Sequence, residues 1–296
     1  MSTATVKKMD VVLDTDAFNE VDDQFAISYL LKNSDRLNTV ALYAAPFLNE
    51  NSVSPKDGME KSYHELSHIL TLAGREDLIP STYRGSDAWL TDENTPILSD
   101  AARDLCERAM HYTKEAPLTV VAIGAITNIA SALLLKPEIA DRMKVVWLGG
   151  NDRGYTDTVE FNMLQDYAAA RVVMSHATSF VQLPCRGVAH AFTLSKADLE
   201  AFLLGKNPLA DYLAKNAIRA AESYAKGKPW TRVIWDVTAV AYLLNDGERF
   251  LRSRMTDTYL PAYDGHYEAE PIGKQMEYVY YVERDALMTD LFEKLV

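Results

Sequence analysis

Short β-branched runs alternate with longer segments whose apolar residues recur at three- and four-residue steps, and this repetition constrains the fold more than any other feature of the chain. Runs at 11–13, 39–43, 119–123, 145–148 and 180–183 read as strands. Segments 22–32, 58–73, 100–114, 128–135 and 166–175 read as the helices between them. Strand–helix alternation of this kind predicts an open, mainly parallel, Rossmann-like α/β sheet flanked by helices on both faces, here without a GxGxxG loop.

After Ser195 the rhythm changes. Helices at 196–203 and 208–226 follow one another directly, and another spans 236–244. Ser195 with Asp198 three residues on has the spacing of a helix N-cap. Near the end, 255–263, an Asp264-Gly265 turn and 278–282 read as a strand pair, followed by a helix at 285–294. No linker rich in Pro, Gly or Ser and no internal repeat interrupts the chain. Residues 1–296 are therefore expected to form a single domain with a helical elaboration over about 195–235.

Charge narrows the partners. The net charge of −12 repels polyphosphate and leaves no basic tract to release counterions, which argues against nucleic acid. Cys106 and Cys185 have no CxxC spacing and suit a reducing compartment. The opening MSTATVKKMDVVLD lacks an apolar leader core, and the longest apolar stretch, 118–126, is too short to cross a bilayer. The expected location is the cytoplasm, with no membrane partner.

Chemistry concentrates where the first strand gives way to the first helix. Asp14, Asp16, Glu20, Asp22 and Asp23 fall within ten residues, at the carboxyl end of a strand, where open α/β sheets bind ligands. Read plainly, Asp22 and Asp23 cap the helix and Glu20 is a solvated loop charge. Helix polarity does not require so many carboxylates, however, and crowded carboxylates raise one another's pKa unless a cation neutralises them. Oxygen-only ligands suit Ca²⁺ or Mg²⁺. An EF-hand loop starting at Asp14 fails, because Asn19 and Phe25 stand where Gly and Glu are needed. A Mg²⁺ phosphatase loop could begin Asp14-Thr15-Asp16, but Phe18 replaces the small residue expected two positions later.

The cluster resembles the N-terminal signature DTDPGxDDA of the inosine-uridine-preferring nucleoside hydrolase family, with a loop two residues longer and Gln24 after the second aspartate of the pair. Further segments occur in the family's order. Residues 122–130, AIGAITNIA, resemble the GPLTNxA turn, and Leu148-Gly149-Gly150 resembles the MGG turn. Glu160-Phe161-Asn162 with Asp166 resembles the EFNxxxDPEAA segment, and Asp236 falls where the family has its late HD pair.

The resemblance implies the nucleoside hydrolase fold and a Ca²⁺-dependent cleavage of the N-ribosidic bond of a ribonucleoside to ribose and free base. It implies that Asp16, Asp23 and Asp236 give carboxylates to Ca²⁺ and that Thr127 gives its main-chain carbonyl, although Thr127 also reads as a helix N-cap. Asp16 would take the proton of a water held by the ion. Asp22, Asp236, Glu160 and Asn162 would meet ribose hydroxyls, with the Asn162 amide as donor and Glu160 as acceptor. A homodimer or homotetramer is implied as well.

Two departures concern the base. Trp235 stands where many members have the histidine that assists base departure, so Trp235 is expected to stack on the base or to serve as a core aromatic. The usual Asn after the second strand is missing, with Asn49 nearby out of register. These changes leave two alternatives: a hydrolase of an unusual riboside, and a catalytically weakened Ca²⁺-dependent ribose- or nucleoside-binding protein.

Overall fold

The first apolar run forms β1 (Met9–Thr15), the third of eight strands in a sheet whose parallel part also holds β2 (Leu37–Ala44), β3 (Thr82–Arg84), β4 (Leu118–Ala122), β5 (Met143–Leu148) and β6 (Ser179–Leu183). These observations come from a computed structural model that describes residues 8–296. The first seven residues, on which the expectation about a leader rests in part, lie outside the described residues. A separate antiparallel pair is made by β7 (Thr193–Ser195) and β8 (Thr231–Val233). The main sheet ends in β9 (Leu251–Asp257) and β10 (Gln275–Val282), in the order β3-β2-β1-β4-β5-β6-β10-β9, with only β9 antiparallel to its neighbour.

Alternation along β1 divides the core. Val11 and Leu13 face a cluster containing Phe25 and Leu30 of α1 (Asp22–Lys32), Leu66 of α2 (Pro55–Leu72), Leu213 of α8 (Pro208–Ala225), Val240 of α9 (Val237–Leu243) and Leu291 of α10 (Arg284–Leu295). Val12 faces the other cluster, with Leu105 of α3 (Asp100–Ala109), Ile129 of α4 (Thr127–Leu135) and Val173 of α6 (Tyr167–His176). Burial on both faces is why the strands read as continuous apolar runs. The remaining helices are α5 (Phe161–Gln165) and α7 (Lys196–Phe202). Ser195 and Asp198 form the reciprocal box at the start of α7 that their spacing predicts.

Several expectations shift. The strand expected at 255–263 lies earlier, as β9, and a long connection replaces a tight hairpin. The Asp264-Gly265 turn instead closes a small bridge between Pro261 and Tyr267 inside that connection. α3 stops at Ala109, because residues 110–112 continue with tighter turns into a Thr113–Ala116 bridge. β3, β7 and β8, at three residues each, are too short to show a period. Among the described residues no helix is long and apolar enough to cross a membrane.

Strand order also opens a crevice in the molecule. The chain runs outward through β1, β2 and β3, then returns to place β4 on the other side of β1. The loops after β1 and β4 therefore part over a crevice at the carboxyl ends of the strands, the switch point where open α/β sheets bind ligands.

Candidate active site

β1 delivers Asp14 and Asp16 to the crevice, and α1 begins with Asp22 and Asp23; all four carboxylates are buried. Val21 takes the cap position of α1 with no side-chain bond, so the two aspartates are not its caps. Asp236, the cap residue of α9, arrives from the far end of the sequence, and ligand oxygens of Asp22, Asp23 and Asp236 all lie within 4.8 Å of one another. The expected triad was Asp16, Asp23 and Asp236. The structure puts Asp22 into the tight cluster and leaves Asp16 close enough to feel the charges of Asp23 and Asp22.

Asp16 is only 1% exposed, and neither of its carboxylate oxygens has a hydrogen-bond partner. One oxygen each of Asp14 and Asp22 is likewise unpartnered. Burial is the main cause of the electrostatic strain. It pushes Asp14 up to about 7 against a hydrogen bond from Asn128, and Asp23 up to about 7 against one from the Thr15 hydroxyl. Asp16, Asp22 and Asp236 are driven well above the usual carboxylate range by burial, then chiefly by the charges of Asp23, Glu20 and Asp22 respectively.

A second layer fixes these groups. Asn128, next to Thr127 on α4, donates to Asp14 at 2.7 Å and to the Ala44 carbonyl at 3.3 Å, and it accepts from the Ser86 backbone N–H at 2.7 Å. Thr127 is not a cap: its hydroxyl donates to Asp166 at 2.8 Å, while Asp166 also accepts from the backbone N–H groups of Leu90 and Ala169. Gly124, in the loop after β4, passes so near that an added Cβ would stand 2.8 Å from Asp16 Oδ1 and 3.1 Å from the Ala45 Cβ. Gly124→Ala is therefore expected to displace Asp16, and to lower about tenfold or more the kcat of any reaction that depends on this carboxylate. Unchanged kcat in the variant would show that this close approach does not hold Asp16.

Asp22, Asp23, Glu160, Asn162, Trp235 and Asp236 line one cavity of about 320 Å³. Asp16 and Thr127 are not among its lining residues. The Glu160 carboxylate caps α5, accepting from the backbone N–H groups of Gly150 (2.8 Å), Asn162 (3.0 Å) and Met163 (3.1 Å). Gly150 turns the chain there with φ of 77°. Burial raises the Glu160 pKa and these backbone bonds oppose the rise. The amide of Asn162 donates to the carbonyls of Ile123 (3.1 Å) and Leu148 (3.0 Å). The expected donor role is thus taken up by two strand-end carbonyls, which leaves the Asn162 oxygen as its polar group for the cavity.

Trp235 is half-buried: it packs on the core and also lines the cavity. Glu20 is not a plain solvated charge, since Arg232 donates to it at 2.6 Å. Asn49 also lines the cavity and is tied to Asn19 at 2.6 Å. Phe161, Cys185, Arg186 and Glu50 line it too, and sequence reasoning missed all four. It missed Asn128 and Asp166 as positioning groups as well, although both stand within the TN and EFNxxxD segments that could have pointed to them.

A parallel sheet with buried carboxylates gathered at its switch point defines a class. The same fold is found in a plant nucleoside hydrolase, with a TM-score of 0.77 at 19% identity, covering 98% of this chain and 99% of that one. It is found again in a purine-preferring ribonucleoside hydrolase from Gardnerella vaginalis, with a TM-score of 0.76 at 19% identity, covering 97% and 98%. In sequence, residues 11–278 match the family described as inosine-uridine preferring nucleoside hydrolase, and the chain belongs to that family, whose members are hydrolases acting on N-glycosyl bonds. A curated relative is the pyrimidine-specific ribonucleoside hydrolase RihA of Salmonella paratyphi A, 24% identical over 240 residues, covering 72% of this chain and 76% of that protein.

Proposed function

We propose that this protein is a Ca²⁺-dependent ribonucleoside hydrolase that cleaves the N-ribosidic bond to give ribose and free base. The observation that carries this reading is the unpartnered, buried carboxylate of Asp16 beside the Asp22, Asp23 and Asp236 cluster, next to a cavity whose wall holds Glu160 and Asn162. So many desolvated carboxylates are costly unless a cation neutralises them, and an all-oxygen donor set suits a hard divalent ion. The residues therefore fit Ca²⁺. Asp16, Asp23, Asp236 and the Thr127 carbonyl would hold it, and Asp22 stands close enough to join them. When bound, Ca²⁺ supplies positive charge that neutralises the cluster, eases deprotonation of water and fixes the ribose diol.

Asp16 takes the proton of the attacking water as general base. Asp22 and Asp236 accept hydrogen bonds from ribose hydroxyls, and the Asn162 oxygen and Glu160 accept from others. The anionic wall favours the positive charge that develops on C1′ and the ring oxygen as the bond to the base breaks. Attack from the face opposite the base gives inversion. Residues 1–296 are taken to act as one domain, with 195–235 forming a wall near the site. A homodimer or homotetramer and a cytoplasmic setting belong to the same proposal, and light scattering tests the assembly.

Ribose release from inosine, uridine, cytidine, adenosine, guanosine and p-nitrophenyl riboside, each with Ca²⁺ and with a chelator, tests the activity. Chelator-sensitive release is the expected result. Binding of ribosides with no release from any of them would instead favour the binding protein suggested by Trp235 in place of a histidine.

A further inference from the structure

We propose, on the basis of the hydrolase reading above, that the substrate is a riboside whose base carries a fixed positive charge on the ring bonded to C1′, a pyridinium or an N-alkylated purinium. The first reason is the lining of the cavity. A neutral base leaves as an anion unless it is protonated as the bond breaks, and the cavity wall contains no histidine, tyrosine or lysine among the described residues. The Trp235 indole N–H is a donor but not an acid, and the Arg186 guanidinium does not release a proton. Cys185 is buried, and desolvation, then the charge of neighbouring Glu160, holds the thiol well above its ordinary range. Glu20 is ion-paired with Arg232 at 2.6 Å, and Glu50 is an exposed carboxylate at the rim.

A charged ring needs no acid. The C1′–N bond breaks and its electron pair passes to the ring nitrogen, cancelling the positive charge. The water oxygen bonds to C1′ and gives its proton to Asp16. The products are ribose, a neutral base and one proton, so atoms and charge balance.

The cavity is also built to hold a cation. Six carboxylates line it (Glu20, Asp22, Asp23, Glu50, Glu160 and Asp236) against a single guanidinium, that of exposed Arg186. With a divalent ion in the aspartate cluster and Glu20 paired with Arg232, Glu50 still stands as an exposed carboxylate at the rim. Half-buried Trp235 and Phe161 present aromatic rings, which attract cations to their faces. Two tyrosines line an adjoining cavity of about 450 Å³ that shares Asn19, Glu20 and Glu50 with the first; the Tyr212 hydroxyl is engaged with Glu65, so the competing source of a proton is Tyr224.

The test compares kcat/KM for ribosylnicotinamide and 7-methylguanosine with guanosine, inosine and uridine, using p-nitrophenyl riboside to follow the hydrolase itself. A preference of about a hundredfold or more for the charged ribosides is expected, the scale of a missing acid. Trp235→His should narrow that preference by raising guanosine turnover more than 7-methylguanosine turnover. Glu50→Gln should raise KM for the charged ribosides about fivefold more than for the nitrophenyl compound, on the scale of one partly solvated charge contact. Chelator-sensitive cleavage of the nitrophenyl riboside with no preference for charged rings overturns this inference and leaves the hydrolase standing. Guanosine turnover equal to that of 7-methylguanosine and abolished by Tyr224→Phe overturns it in favour of a tyrosine acid. Absence of cleavage from every compound overturns the hydrolase reading as well.

Discussion

Asp16→Asn is expected to lower kcat by about 10²–10⁴-fold, the usual contribution of a positioned general base, while the fold survives. The expectation of an intact fold has a specific origin. Neither carboxylate oxygen of Asp16 accepts a hydrogen bond, so an amide in its place breaks no internal contact and removes one charge from a crowded, desolvated cluster. Without ion, the variant should melt no lower than the parent. Steady-state rates, with riboside and Ca²⁺ binding measured by calorimetry, separate loss of the base from loss of the ion. Turnover within a few-fold of the parent would remove Asp16 from the role of base.

The second large effect couples ion removal to pH. Burial raises Asp14 and Asp23 to about 7, and Asp16, Asp22 and Asp236 are raised with them, while an unfolded aspartate stays near its ordinary 3.8. Between those values the folded, ion-free protein holds more protons than the unfolded chain, so its stability falls as pH rises through that window. Ca²⁺ requires the ionised carboxylates and displaces the protons. Melting in chelator is therefore expected to drop from about pH 5.5 to about pH 8, and the stabilisation by Ca²⁺ to grow over the same range. A hundredfold excess over Kd adds about 2.7 kcal/mol. In a chain of this size that is a rise in Tm of several degrees. An ion-free Tm that climbs with pH, or a Ca²⁺ effect that is largest at the acid end of the range, would contradict the assignment of this cluster as the ion site.

What the sequence disclosed, and what it withheld, depends on the range of the interactions involved. The parallel core was legible because burial on both faces writes apolar runs, and the start of α7 because its capping box is local. The aspartates stood out because charge at a strand end is expensive wherever the chain goes next. β9 was misplaced because it is an edge strand whose Arg252, Ser253 and Arg254 break the apolar pattern. The direction of the Asn162 amide was hidden, since its partners are backbone carbonyls contributed by two strands that lie far earlier in the chain or across a turn. Asp166 looked like the cap of one helix. Only the fold shows that the same carboxylate also grips Thr127 and the Leu90 backbone.

The gathering of Asp22, Asp23 and Asp236 at one point has a consequence for biogenesis. Asp22 and Asp23 precede Asp236 by more than two hundred residues, so the pair is synthesised well before the third. α1, which carries the early pair, also packs against α10, where the Tyr29 hydroxyl donates to Asp290. With Asp16, Asp23 and Asp236 as the proposed carboxylate ligands, the chelate would close only across more than two hundred residues of chain. On that proposal the full ligand set would form only once α9 has been made, and a chain stalled before it would carry the acidic loop without Asp236.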